Sequence, residues 1–470
     1  MTQTPVKTPF SLLRTRRRFL QTASVAAFSA ASWSRVRGAN DRIRVGCIGV
    51  GLVGRIHLRN FHASPGAQVA AVSEVHQPRL EAAAALAPGC ARYPDFRRLL
   101  DDRSLDAVII STPDHWHALM TMMACAAGKD VYVEKPLTLF VREGEWMNQV
   151  AGRFKRVVQV GTQQRSGPHY QKARELVRSG HLGKLVSVQI NYFRNVAPGF
   201  GTPADSSPPP DLDWELFLGP APKRPYNPNR GLYHFRWFWD TSGGQMTNLG
   251  QHSLDVVHWL AGVDGARAVT SSGGRFYLKD NCEVPDTQDA LIEYPDFRAV
   301  VQFRECAAGA GATGMGGVEF HGTRGTMVLG RDGFEITGDK RENPVNIVAR
   351  IIGGHPVGGP QPVPEPEGAA TRWTDPVQDT SGDWKDQYVR HARHFLDCIR
   401  SRQTPNSDLK SGHEIATVCH LANISLRTGR KIHWNASKQD TVGDREASRM
   451  LFRTYRSPWD RELRALGIRF

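Results

Sequence analysis

The sequence predicts an α/β chain in two parts: a first domain built on strands buried on both faces, then an α+β domain with an open, largely antiparallel sheet. Three observations predict it. Residues 106–110 and 131–133 run almost unbroken in apolar residues between helix-like segments, as strands covered by helices on both faces do. Residues 185–192 and 299–303 alternate instead, as strands with one exposed face do. The third observation is near the start, where an apolar, β-branched run ends at Ile48. It passes straight into Gly49, Gly51 and Gly54, spaced GxGxxG, and then into a segment, 55–61, that continues as a helix.

Each of those glycines answers a separate physical need. Gly49 permits the tight strand-to-helix turn, Gly51 lets backbone N–H groups approach a pyrophosphate, and Gly54 lets the helix pack on the strand. The helix N-terminus then faces the anion. Residues 67–72 read as the next strand, ending at Ser73-Glu74. The Glu74 carboxylate can accept ribose hydroxyls and would repel a 2′-phosphate. A Rossmann dinucleotide-binding domain over residues 41–165 is therefore expected, with Gly49, Gly51, Gly54 and Glu74 at the cofactor and NAD favoured over NADP.

Residues 1–33 are expected to lie outside the fold. Arg16-Arg17-Arg18-Phe19-Leu20 sets paired arginines before a mild, Ser/Ala-rich apolar stretch too short to span a bilayer. The segment resembles a twin-arginine (Tat) signal, with small residues around Ala31 for cleavage. The expected location is periplasmic or otherwise extracytoplasmic, with the protein soluble after export. The segment holds Lys7, Arg14, Arg16, Arg17 and Arg18 and no acid, so its removal takes the formal charge from +14 to +9. What remains lacks the Lys/Arg blocks with interleaved aromatics of a nucleic-acid groove, and no nucleic-acid partner is expected. It is long enough for two or three domains. The seven cysteines are odd in number, scattered and in no CxxC pair, indicating neither a zinc site nor a disulfide framework. That fits a route exporting proteins already folded in the reducing cytoplasm.

Beyond Glu74, a helix is expected over 79–86 and a buried strand over 106–110. That strand ends in Ser111-Thr112-Pro113-Asp114-His115-Trp116-His117. Ligands of open α/β sheets lie beyond the carboxyl ends of strands, so Thr112, Pro113, His115 and His117 are assigned to the cofactor. A helix over 120–127, closed by Gly128, leads to the strand 131–133 and then to Glu134-Lys135-Pro136.

GxGxxG, Ser-Thr-Pro-Asp-His-Trp-His and Gly-Lys-Asp-Val-Tyr-Val-Glu-Lys-Pro-Leu together resemble the glucose-fructose oxidoreductase, inositol dehydrogenase and rhizopine-catabolism (Gfo/Idh/MocA) family. The resemblance covers essentially the whole mature chain. It implies an NAD(P)-dependent oxidoreductase, places Glu134 and Lys135 at the cofactor, and makes Lys135 the catalytic-site lysine. Chemistry agrees independently: an ammonium at a strand's C-terminal end can hydrogen-bond a reacting hydroxyl and stabilise developing alkoxide charge.

Residues 157–161 read as another strand, ending in Thr162-Gln163-Gln164-Arg165, with a substrate domain over 166–435 behind it. Residues 195–231 are rich in Pro, Gly and Asn and too long for a simple connection, so a loop over the site is expected. In the stretch 243–260, read as a helix, Asn248, His252, Asp255 and Trp259 share one face, and Leu249, Ser253, Val256 and Leu260 another. His252 is a natural proton acceptor, with Asp255 to orient it; a core histidine is the other reading. The family's site pattern is Asp-x-Gly-x-His, and this chain has Asn248-Leu-Gly-Gln-His252. His252 carries over, whereas Asn248 neither accepts a proton nor carries charge. Arg165, Asn248, Asp255 and Trp237 are assigned to the substrate. Trp237 belongs to an aromatic run, 233–239, that reads equally as a sugar-stacking surface or a buried cluster.

Residues 318–329 look like a hairpin, 353–379 like a Pro/Gly-rich excursion, and 384–400 and 412–428 like helices. His391, His394, His413 and His420 lie in or near those helices without the carboxylates of a metal set, and no metal is expected. Residues 436–470 are set apart as a C-terminal tail, and a homo-oligomer through the open sheet is expected. The function expected is hydride transfer on a sugar, polyol or sugar derivative, with tightly bound, recycled NAD. The alternatives are an NAD-dependent glycosidase or lyase using transient oxidation and, in a different class, an exported ligand-binding protein without chemistry.

Overall fold

The computed structural model describes residues 42–308, 317–339 and 372–470. The paired-arginine segment 1–33 and residues 353–371 of the Pro/Gly-rich stretch lie outside the described residues. Six parallel strands form the first sheet: β1 (Ile43–Ile48), β2 (Ala67–Ser73), β3 (Ala91–Tyr93), β4 (Ala107–Ile110), β5 (Asp130–Val133) and β6 (Val158–Val160), in the order β3-β2-β1-β4-β5-β6. Helices α1 (Leu52–His62), α2 (Gln77–Leu86), α3 (Phe96–Asp101), α4 (Asp114–Ala126) and α5 (Val141–Phe154) connect them. Alternate residues of β4 and β5 enter two different cores: Val108, Ile110, Val131 and Val133 enter one, Ala107, Ile109 and Tyr132 the other. Both faces are dry, which is why these strands read as continuous apolar runs. The strand order reverses between β1 and β4, where such a sheet opens a ligand crevice beyond its carboxyl ends.

α4 starts at Asp114 rather than near residue 120. Pro113 sits at its N-cap (φ −60°, ψ 151°) and Asp114 lies in the first turn, so the polar cluster after β4 is the opening of a helix, not a loop.

The second domain begins with a 3₁₀ turn, Gln163–Ser166, and α6 (Pro168–Arg178). Its sheet has ten strands: β7 (Leu185–Phe193), β8 (Ala268–Gly274), β9 (Thr287–Glu293), β10 (Arg298–Arg304), β11 (Val318–Gly322), β12 (Gly325–Leu329), β13 (Phe334–Gly338), β14 (Val377–Asp379), β15 (Ile432–Asn435) and β16 (Asp440–Thr441). The order is β14-β13-β12-β11-β7-β10-β9-β8-β15-β16, open at both ends. β7 and β10 pair in parallel and every other neighbour antiparallel. β14 corrects the sequence expectation, since the last residues of the supposed excursion pair with β13. α7 (Trp214–Leu218), α8 (Gly244–Asn248), α9 (Gly250–Ala261), α10 (Trp384–Ser401), α11 (Leu409–Thr428), α12 (Arg445–Arg449) and α13 (Trp459–Ala465) complete the chain. One sheet face packs with α6, α9 and α11 in a single core.

Three features bear on the site. The helix expected through 248–260 breaks at Leu249: His252 N–H bonds Leu249 O at 3.1 Å, leaving Asn248 O to other donors. Residues 195–231 are tied to the crevice rim, where Gln77 N bonds Asp211 O at 2.8 Å and Asp213 N bonds Val75 O at 3.0 Å. Residues 436–470, expected to trail beyond the second domain, return to the first. Tyr455, Trp459, Leu463, Leu466 and Ile468 are buried in its core, with Trp459 edge-on to Trp116 at 4.7 Å.

Candidate active site

Gly49 has φ +79°, and a Cβ there would stand 2.8 Å from the backbone of Ser111 and Thr112; a Cβ on Gly54 would stand 2.1 Å from Gly49 O. Those two glycines are required by the protein's own packing. Gly51 is different. Its φ is −68°, and its added Cβ would meet only the Arg79 guanidinium, at 3.4 Å. Nothing in the fold demands a glycine there, and the space lies at the N-terminus of α1, which has no side-chain cap and no acid in its first turn. At the adjoining end of β4, Ser111 Oγ and Thr112 Oγ1 are buried without partners among the described residues. An uncapped helix start, an unfilled cradle and two orphan hydroxyls fit a dinucleotide. Glu74 is held ready beside them: Val50 N donates to Oε2 at 3.0 Å, and Val75 N and His76 N donate to Oε1 at 3.0 and 3.3 Å. Gly51→Val is therefore expected to abolish bound NAD while leaving thermal unfolding nearly unchanged, read by nucleotide release on denaturation. Full NAD content in that variant would remove the turn from the cofactor site.

The other residues assigned to the cofactor serve mainly to build the crevice. Pro113 caps α4. His115 Nε2 meets Phe217 O at 3.0 Å, and burial lowers this ring to about 4. His117 lies between Pro136 O (2.6 Å) and Thr112 O (2.9 Å), clasping the two turns together. Glu134 is turned inward, with Oε1 accepting from Gln163 Nε2 and facing His57 Nε2, both at 2.7 Å, and Oε2 accepting from Lys135 N at 3.0 Å. Burial opposes its charge, but the His57 hydrogen bond and the neighbouring cations prevail and lower its pKa.

Lys135 emerges on the opposite side of that strand end. Its ammonium donates to Asn248 O at 2.9 Å and to Asn248 Oδ1 at 3.0 Å. The first acceptor exists because the helix breaks at Leu249. The second is oriented by a chain: Asn248 Nδ2 donates to Gln245 Oε1 (3.1 Å), Gln245 Nε2 to Glu305 Oε1 (2.8 Å), and Arg194 holds Glu305 with two bonds. An amide fits this chain, because a carboxylate at 248 would face the Gln245 carbonyl. Burial lowers Lys135 to about 8; Glu134 and Asp114 raise it, while Arg236 and Arg331 lower it further. His252 is buried, with Nδ1 unpartnered among the described residues; burial, then Lys135, then Arg331 push it well below its ordinary range. At neutral pH the pair is an ammonium beside a neutral imidazole.

Sequence reasoning missed Asp114, which accepts from Ser242 Oγ at 2.5 Å, and Arg331, which comes from the β12–β13 turn. The Asp114 signal was present, in the polar cluster after β4. Arg331 carried none beyond a Gly-Arg-Asp-Gly turn.

Three residues assigned to the substrate, Arg165, Asp255 and Trp237, are buried. Both Asp255 oxygens are held by Arg165, through Nε at 3.0 and 2.9 Å and Nη2 at 2.8 Å, so Asp255 does not orient His252. Arg165 Nη1 also donates to Asn406 O at 2.6 Å. A cleft of about 520 Å³ lined by Arg165, Arg174, Trp259 and Asp408 lies behind this pair, without Lys135 or His252 in its wall. Trp237 is 4% exposed, stacked near Phe200 with Arg194 over its ring. Of the aromatic run, Phe235, Trp237 and Phe238 are buried and Tyr233 is exposed.

A Rossmann crevice joined to an ammonium–imidazole pair defines an NAD-dependent oxidoreductase in two domains. The chain belongs to the Gfo/Idh/MocA oxidoreductase family. Its NAD-binding Rossmann-fold model matches residues 43–162, and two models of its C-terminal alpha/beta domain match 167–273 and 223–433. Scyllo-inositol 2-dehydrogenase (NAD(+)) of Bacillus subtilis (strain 168) is 25% identical over 77% of this chain and 88% of its own length. Inositol 2-dehydrogenase 2 of Saccharopolyspora erythraea is 30% identical over 53% of this chain and 61% of its own. Among solved structures, levoglucosan dehydrogenase in complex with NADH and levoglucosan superposes with a TM-score of 0.63 at 18% identity, over 84% of this chain and 99% of that one. The cofactor is NAD.

Proposed function

We propose that the protein oxidises a hydroxyl-bearing carbon of a sugar, polyol or sugar derivative after export, and retains its NAD from one turnover to the next. One observation carries the chemical part: at the carboxyl end of β5 a half-buried ammonium, fixed on Asn248, lies within electrostatic reach of a neutral imidazole whose Nδ1 is unpartnered among the described residues. The inositol and levoglucosan dehydrogenases among its relatives support a polyhydroxylated substrate. Bound NAD would supply the acceptor for the hydride that leaves the carbinol carbon and the donor for its return to a second carbonyl. Gly49, Gly51, Gly54, Glu74 and Thr112 would hold it. Lys135 donates a hydrogen bond to the reacting oxygen and stabilises charge as its proton leaves, and His252 takes that proton. In the reverse direction His252 returns the proton to the carbonyl oxygen.

Retention follows from the paired-arginine N-terminus. Free NAD is scarce outside the cytoplasm, and the Tat route would let the chain fold around its cofactor before leaving. The exported protein is expected to co-purify with NAD and to turn over pairs of sugars, one oxidised and one reduced, with none added. An empty protein that consumes added NAD in step with substrate would leave an ordinary dehydrogenase.

A further inference from the structure

The carboxyl end of β1, where the glycine turn begins, lies between those of β2 and β4. Residues 211–219 are bonded to the chain on both sides of it. On the β2 side, Gln77 N donates to Asp211 O at 2.8 Å, Asp213 N donates to Val75 O at 3.0 Å, and His76 faces Leu212 in an antiparallel bridge. These partners directly follow Glu74, the carboxylate placed for the adenosine ribose. On the β4 side, His115 Nε2 and Trp116 Nε1 converge on Phe217 O from the first turn of α4, each at 3.0 Å. The segment therefore bridges the crevice from the ribose carboxylate to the helix that follows Thr112 and Pro113. It is braced within itself: Asp213 Oδ1 caps α7 by accepting from Leu216 N at 2.8 Å, and Leu212, Trp214, Phe217 and Leu218 pack together against Val75.

The C-terminus holds the same segment from outside. Arg456 N donates to Pro220 O and its Nε to Gly219 O, both at 3.1 Å; its Nη2 donates to Glu215 O at 3.2 Å and its Nη1 to the Glu215 carboxylate. Arg453 grips the far end of the loop, through Asp240 Oδ1 and Asp240 O, both at 2.9 Å. Tyr455, between the two arginines, is fastened to α5 by its hydroxyl, which donates to Glu143 Oε1 at 2.7 Å. Trp459 lies edge-on to the same Trp116 that bonds Phe217 O. At Gly219, with φ +47°, a Cβ would stand 1.9 Å from Trp116 Cζ2, so no side chain fits where the segment meets α4. A glycine turn and an uncapped helix start bind a nucleotide without barring its exit, whereas a cover that must open locally does bar it.

We propose that residues 211–219 are a lid over the adenosine end of the cofactor site, and that the C-terminal segment 453–459 keeps the lid shut and so makes NAD resident. This deepens the reading that NAD is retained through turnover and rests on it. Lys135 follows β5, on the far side of β4 from Glu74. A lid joined to the turns after β2 and β4 can therefore stay closed over the ribose while sugars come and go at the other end. NAD leaves only when the lid opens, and opening breaks the Arg456 bonds, so the release rate follows the fraction of time the lid is open. Arg453 and Arg456 act on the cofactor through the lid and are positioning residues.

The test dilutes the exported holoprotein with an NAD glycohydrolase, which destroys nucleotide only once it is free, and measures the NAD still bound in denatured aliquots over time. Arg456→Ala is expected to raise the release rate by roughly tenfold or more, because it removes charge-assisted bonds made only when the lid is shut. Arg456→Lys, which keeps the charge and loses the fork, should give a smaller rise, and Arg453→Ala an independent one. Arg402→Ala is the control. It strands the buried Asp130 carboxylate at the opposite end of β5, destabilising the same sheet away from the lid. Its thermal midpoint should fall while its release rate stays within about twofold of the wild type. Release unchanged in both Arg456→Ala and Arg453→Ala, or raised as much by Arg402→Ala, would overturn the lid while sparing NAD retention. A wild-type protein isolated without NAD would remove the retention reading and this inference with it.

Discussion

Lys135→Met and His252→Ala are each expected to lower turnover by roughly a hundredfold or more with NAD still bound, the range of a lost acid/base or charge-stabilising group. Methionine keeps most of the lysine's volume, so the packing beneath Asn248 survives while both ammonium hydrogen bonds are lost. The groups expected to hold the cofactor, at Gly51, Glu74 and Thr112, are untouched. The pH profile separates the two roles. Lys135, lowered chiefly by burial to about 8, is charged below that pH and loses its proton above it, so kcat/KM for oxidation should fall as pH rises through about 8. That limb should vanish from the residual activity of Lys135→Met. His252 is neutral and able to accept a proton throughout the neutral range, and its own limb lies on the acid side of an ordinary histidine. Near-full activity in both variants would move the chemistry elsewhere.

What the sequence made legible was whatever sits within a few consecutive residues. The glycine turn and its two neighbouring strands concentrate their signal between residues 43 and 74, and Lys135 is marked by a short motif. Glu134 beside it turns inward for a reason that strand geometry contains. Side chains two apart on β5 share a face, so Glu134 follows Tyr132 toward His57, which Tyr132 packs against at 4.8 Å, and Lys135 takes the other side. The break at Leu249 left weak traces, glycines at 244 and 250, which disfavour a continuous helix by about 1 kcal/mol each. The return of the C-terminus was also written, in Trp459, Leu463 and Leu466 at helical spacing, among arginines that made it look like a solvated tail. Arg331 had no local signal, because the place of its hairpin turn depends on ten strands pairing in one register.

Asp255 shows what a shared helix face cannot decide. From its spacing it belongs with His252, whereas its carboxylate is 1% exposed and held by the 5% exposed Arg165, which joins the 3₁₀ turn after β6 to α9 and to the backbone before α11. Burial alone would raise the acid's pKa, and the guanidinium opposes it without fully cancelling it, so the pair is held together in a medium that penalises either charge alone. Asp255→Ala leaves the Arg165 guanidinium buried over the Trp259 ring with, among the described residues, the Asn406 carbonyl as its one hydrogen-bond acceptor. The expected cost is about 3–5 kcal/mol of folding stability, seen as a lower urea midpoint, with kcat at permissive temperature and NAD content largely kept. Replacing both partners, Arg165→Met with Asp255→Leu, should recover most of that loss, because neither charge is then stranded. A substrate-binding Asp255 would give the opposite pattern: an unaltered urea midpoint, a KM raised by an order of magnitude or more, and no rescue in the double variant.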